Sequence, residues 1–223
     1  MSAELDPTTV TAPSKGRSPA RRGTAHVYVR ETLRQDILNG TLPGGTRLAQ
    51  TDIAKQLGVS TTPVREALRD LASEGLVVID PHRGGFVMEL NKDDVFEIYE
   101  IRYHLEPIAL RHAMPFINEE TIDRLDQLNE EMTATSHLPT WVELNRDFHM
   151  TLYGPSNRPR LLSIIGSVQD GSVMAVAGRL AHTSGVRDEA NQEHSNLVDA
   201  LRVKDADRAM ALLQHHLERH THS

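Results

Sequence analysis

The sequence predicts a mainly α chain in two parts: a head of three short helices and a β-hairpin, then an all-α bundle of about six helices. Three observations predict it. Apolar residues recur at helical spacing in three short stretches before residue 75. Two β-prone runs then flank a glycine-containing turn. After Leu90 nearly all of the chain is long amphipathic pattern with short breaks.

The first helix is expected from about Ala25 to Leu38, where Val29, Leu33 and Ile37 repeat every four residues. Asn39-Gly40 stops it, and Leu42-Pro43-Gly44-Gly45 turns the chain. A second helix runs from about Thr51 to Leu57, with Ile53, Ala54 and Leu57 facing inward and Gly58 as its C-terminal cap. Ser60 is expected to cap a third helix, with Pro63 in its first turn, where the missing N–H costs little. That helix continues to about Glu74 and stops at Gly75. Leu76-Val77-Val78-Ile79 and Phe86-Val87-Met88 read as strands, with turn residues from Asp80 to Gly85 between them. Three helices followed by a hairpin is the order of a winged helix-turn-helix.

Breaks near Pro115, from Ser136 to Pro139, from Gly154 to Pro159, at Ser184-Gly185 and at Lys204 divide the rest into about six bundled helices. The expected organisation is a disordered basic tail over 1–23, a winged helix over 24–90 and a helical domain over 91–223.

Composition bounds the function. Hydrophobic residues make up 39% and charged residues 25%, a globular balance. There is no cysteine, which excludes disulfides and thiolate metal sites. No apolar run approaches the ~20 residues that cross a bilayer, and the start lacks a signal-peptide core. A cytoplasmic protein with no membrane partner is expected. The net charge of -7 is unevenly spread. Thr11 to Arg30 carries Lys15, Arg17, Arg21, Arg22 and Arg30 with no acid, whereas residues 91–223 hold 13 Lys and Arg against 21 Asp and Glu. Ten of the twelve histidines lie at or after His104.

On the third helix Val64, Leu68 and Leu71 form the buried stripe. Thr61, Arg65 and Arg69 recur at four-residue steps on another face. Such a face carries a hydroxyl and two guanidinium groups toward a major groove, where arginine pairs with guanine or phosphate. Arg83 in the hairpin turn would reach a neighbouring phosphate or the minor groove. Thr62 and Gly84 complete the candidate double-stranded DNA surface.

The run Leu57-Gly58-Val59-Ser60-Thr61-Thr62-Pro63-Val64-Arg65-Glu66-Ala67-Leu68, then Leu71, Glu74-Gly75-Leu76 and Gly84-Gly85-Phe86-Val87, closely resembles the GntR family of regulators. The family often has arginine where this chain has Thr61, so operator sequence or affinity is expected to differ. Residues 91–217 resemble the FadR-type FCD ligand-binding domain. The resemblance rests on Glu100-Ile101-Arg102, Leu105-Glu106, Asn145, Phe148-His149, Ser156-Asn157, Glu193-His194, Ala209 and His216-Leu217.

The resemblance implies a homodimeric repressor of operator DNA, responsive to a small organic acid. In many FCD domains an Asp or Asn and three histidines hold a divalent metal, and the matching positions are Asn145, His149, His194 and His216. Asn145 and His149, four residues apart, share a helical face. Neutral imidazole suits transition ions, zinc or nickel foremost here. Asparagine adds no negative charge, which favours an anionic ligand on the metal. Arg102 is the candidate effector contact, although Glu106 four residues on would equally form a structural ion pair with it. Arg146 and Arg179 are weaker pocket candidates. A metal-dependent hydrolase with an accessory DNA-binding module is the rival reading, since three histidines with an open position can activate water. It lacks a His-Glu-x-x-His helix and an evident general base, so no enzymatic activity is expected.

Overall fold

The computed structural model describes residues 22–81, 83–182 and 185–218. Nine α-helices and a three-stranded sheet are found among them. The tail expected over 1–23 lies outside them as far as residue 21; its last two residues belong to helix α1 (Arg22–Leu38). The head continues with β1 (Arg47–Leu48), α2 (Gln50–Leu57), α3 (Thr61–Ser73), β2 (Val77–Asp80) and β3 (Gly84–Val87). The sheet order is β1-β3-β2, antiparallel throughout, with Arg47 opposite Phe86 and Val78 opposite the same residue on its other side.

Local chemistry accounts for the helix-turn-helix. Gly58 adopts φ 68°, a left-handed conformation, and its N–H closes α2 on the Ala54 carbonyl. Ser60 stands extended at the N-cap position of α3, but its side chain makes no capping hydrogen bond, contrary to expectation. Val64, Ala67, Leu68 and Leu71 are buried, and α3 packs against α1 and β2. The strand β1 is unheralded in the sequence; it exists because β3 offers an edge to pair with.

The bundle comprises α4 (Lys92–Ala113), α5 (Glu119–Ala134), α6 (Leu138–Tyr153), α7 (Pro159–His182), α8 (Val186–Arg202) and α9 (Ala206–Glu218). A capping box starts α4, with Asp94 N–H donating to Asn91 Oδ1 at 2.9 Å and Asn91 N–H to Asp94 Oδ2 at 2.9 Å. Helix α4 packs on α6, α7 and α9, while α5 bridges α6 and α8.

One apolar core runs through both parts, from Val29 to Leu217. Their joint also has a polar clasp. Arg34 of α1 hydrogen-bonds Glu74, just past α3, and its Nε lies 2.9 Å from Glu143 Oε1 of α6. Beside it, Gly75 abuts the backbone of α7 at Asp170.

Candidate functional site

On the head, Thr61, Thr62, Arg65, Arg69, Arg83 and Gly84 are all exposed. Burial of Val64, Leu68 and Leu71 on the opposite side of α3 forces Arg65 and Arg69 outward. Arg83 stacks over the Phe86 ring at 5.2 Å, and its N–H donates to Asp80 Oδ1 at 2.8 Å. Gly84, with φ 93°, takes the left-handed step of the turn. The sequence reading missed Arg47, an exposed cation that β1 sets beside Phe86.

In the bundle, His149 of α6, His194 of α8 and His216 of α9 converge. One ring nitrogen from each lies within 4.8 Å of the others, and all three residues are buried. Ring centroids are 5.1 to 5.3 Å apart. The hydrogen bonds fix the donors. His216 Nδ1 lies 2.7 Å from Glu193 Oε2; a carboxylate only accepts, so Nδ1 is the donor. Tyr153 donates its hydroxyl to Glu106 Oε2 at 2.7 Å, so His149 Nδ1, 3.3 Å from the Tyr153 hydroxyl oxygen, is the donor there. His149 Nε2 is left buried with no partner, as are both ring nitrogens of His194. Burial foremost, then the neighbouring imidazoles and Arg102, holds His149 well below the ordinary histidine pKa; burial, His216 and Arg102 do the same for His194. The unpartnered nitrogens of His149 and His194, with His216 beside them, fit a transition-metal ion, and Glu193 and Tyr153 are the outer groups that touch His216 and His149.

Asn145 stands one turn before His149 on α6. It lines a neighbouring cavity with Arg102, Val142, Arg146, Gln169 and Ser172. The cavity volume is about 10 Å³, room for one water-sized group. Arg102 is 4% exposed and Glu106 is fully buried, with Arg102 Nε donating to Glu106 Oε1 at 2.7 Å. Burial opposes the Arg102 charge, but Glu106 outweighs it and raises the guanidinium pKa further. The pair foreseen at four-residue spacing is therefore formed. Glu106 also accepts from Tyr153 and from Gln169 Nε2 at 3.0 Å, so one carboxylate joins the histidine cluster to the cavity. Arg146 is hydrogen-bonded to Asp170. The Arg179 side chain lies outside the described residues. Tyr153 and Gln169 belong to no motif, and Glu193 entered only beside His194; the roles of all three arise from their hydrogen bonds.

The comparisons agree with this geometry. The FCD domain is matched over residues 97–219, and the bacterial regulatory protein gntR family over residues 26–87. The chain belongs to the GntR family of transcription regulators. Among its GntR relatives, the HTH-type regulator YdhC of Bacillus subtilis (strain 168) is 32% identical over 79% of this chain and 80% of its own. A probable D-xylose utilization operon transcriptional repressor of Paenarthrobacter nicotinovorans is 30% identical over 88% of this chain and 87% of its own. The solved structure of E. coli McbR/YncC superposes with a TM-score of 0.69 at 27% identity, covering 87% of this chain and 94% of that one. GntR membership makes this a DNA-binding transcription regulator and not an enzyme. The hydrolase reading finds no support: the relatives are regulators, and the acid nearest the histidines, Glu193, is engaged on His216. Among the described residues no helix is long and apolar enough to cross a membrane.

Proposed function

We propose that this regulator is a dimeric repressor that releases its operator when a small organic acid binds in the bundle. DNA contact falls to Thr61, Thr62, Arg65, Arg69, Arg83 and Gly84 of a domain spanning 24–90. Sensing and dimerisation fall to residues 91–223. The observation that carries the reading is the convergence of buried His149, His194 and His216, at which His149 Nε2 and both ring nitrogens of His194 have no hydrogen-bond partner. With Asn145 they would hold a divalent ion, zinc or nickel. A metal there would supply positive charge and a free coordination position for a carboxylate.

That charge matters because the nearby cations are already balanced: Arg102 by Glu106 and Arg146 by Asp170. An extra carboxylate is favourable only against extra positive charge. Arg102 still has terminal nitrogens to offer, since among the described residues it bonds Glu106 through Nε. The cavity is too small for a whole acid, so admission requires α6 and α7 to part. The same helices carry Glu143 and Asp170, which meet the head at Arg34 and Gly75. Effector binding would thereby reposition the winged helices, and operator affinity would shift by the difference in effector affinity between the two arrangements.

The test is a gel-shift on the DNA flanking its own gene, with and without a panel of organic acids, alongside metal analysis of untagged protein. Operator binding weakened by one acid, and lost responsiveness in His149→Ala and His194→Ala, is the expected result. An acid-insensitive complex from a metal-free protein would refute the reading.

A further inference from the structure

Gln169 of α7 is 4% exposed and lines the small cavity with Arg102, Asn145 and Arg146. Its amide nitrogen donates to Glu106 Oε1 at 3.0 Å. Glu106 accepts from Arg102 and Tyr153 as well, as an ionised carboxylate does. The nitrogen of Gln169, and not its oxygen, must therefore face Glu106, which fixes the amide. Its Oε1 is buried and has no hydrogen-bond partner. A buried acceptor left unmet is unfavourable, and native proteins rarely keep one without a use.

No surrounding donor reaches it. Ser172 Oγ donates to the Gln169 carbonyl at 2.8 Å. Arg146 is held by Asp170, and Arg102 directs Nε to Glu106. A donor brought by an occupant of the site would meet it.

We infer that Gln169 determines effector specificity by accepting a hydrogen bond from a hydroxyl, so the site takes hydroxy acids over oxo or unsubstituted acids. The inference rests on the effector reading of this cavity. A hydroxyl matches the water-sized space and supplies the donor. A keto oxygen has only lone pairs and would face Oε1 with like polarity. A methylene leaves Oε1 unmet. An ammonium donates but adds positive charge beside the proposed metal, where it is repelled. Sites built to bond a substrate hydroxyl discriminate strongly against analogues lacking it.

The experiment is calorimetric titration of the full chain, loaded with zinc, against matched acids on three skeletons. These are lactate, pyruvate and propionate; malate, oxaloacetate and succinate; and 2-hydroxyglutarate, 2-oxoglutarate and glutarate. On the skeleton that binds tightest, the hydroxy acid is expected to exceed both analogues by at least about tenfold. In Gln169→Met that advantage shrinks to within about twofold, with operator binding retained as the check on folding. The ranking by the unaltered chain stands as a test even if the variant misfolds. An oxo or unsubstituted acid that binds equally well and still weakens operator binding overturns the role of Gln169 and leaves the effector reading intact. An advantage that survives in Gln169→Met also overturns it. Failure of all nine acids to bind overturns both.

Discussion

Gly75 and Asp170 meet backbone to backbone: a Cβ on Gly75 would lie 2.8 Å from the Asp170 carbonyl oxygen and 3.0 Å from the Gly171 Cα. Gly75 also has φ 73°, which L side chains rarely adopt. No flexible side chain is available to yield, because both contacts are main chain. Gly75→Ala is therefore expected to destabilise the protein by at least about 1 kcal/mol, read from urea unfolding. It should also loosen the seat of α3 on α7, so that the acid-dependent change in operator affinity shrinks while Arg65-dependent binding remains. Unchanged stability would mean that the joint adapts easily, and the coupling route through α7 would lose its support.

Glu193 and His216 give the second prediction. The 2.7 Å contact ties the His216 ring to Glu193 through Nδ1. Glu193→Gln keeps the size but substitutes an amide for a charged acceptor. Metal affinity is expected to fall by about 10- to 100-fold, measured by competition with a chromogenic chelator. His149→Ala, which removes a ligand, should cost more than Glu193→Gln. Equal metal content in all three proteins would remove the histidine trio from consideration as a metal site.

Much of this was legible in the sequence, and the exceptions are instructive. Gly58 announced the end of α2 because only a left-handed residue closes a helix in that manner, α4 to α8 break where Pro, Gly and Ser interrupt the apolar period, and the break after α8 falls at Lys204, itself left-handed with φ 58°. The Arg102–Glu106 pair followed from four-residue spacing on one helix. Ser60 fills the capping position without bonding, since a backbone position does not fix a hydroxyl rotamer. Two-residue β1 is too short to show alternation. Glu193 and His216 are 23 residues apart on different helices, so their contact is tertiary and leaves no local pattern. The same holds for Gln169, whose significance is an orientation imposed by Glu106, 63 residues away.

The buried histidines make stability depend on pH. His149 and His194 are held well below the ordinary value, by burial first. In the unfolded chain each takes up a proton near about pH 6.5, while the folded chain does not. Below that pH the unfolded state therefore binds more protons, and stability falls as pH drops. The slope approaches about 1.4 kcal/mol per pH unit for each histidine involved. Chelator-treated protein should show a lower urea midpoint at pH 5.5 than at pH 7.5, and the double variant His149→Gln, His194→Gln a flatter dependence. Identical dependence in the two proteins would assign the effect to other groups.

On the proposed DNA face, Arg65 and Arg83 are expected to divide base reading from phosphate anchoring, and Thr61 offers a third test. Arg65 projects from the first turns of α3, opposite the buried Val64 and Leu68, where a base edge is in reach. Arg65→Ala should cost about 1–3 kcal/mol on the operator and little on unrelated DNA. Arg83, at the tip of the β2–β3 turn and stacked on Phe86, suits a phosphate. Arg83→Ala should weaken both DNAs alike and reduce the salt slope by about one. Thr61 is exposed at the start of α3. Thr61→Arg adds a cation at a helix N-terminus facing the duplex, so it should raise general DNA affinity and steepen the salt slope by about one. Fluorescence anisotropy across a salt series measures all three. A salt slope untouched by Arg83→Ala and Thr61→Arg would mean that neither residue meets a phosphate, and the face of α3 turned to DNA would have to be reassigned.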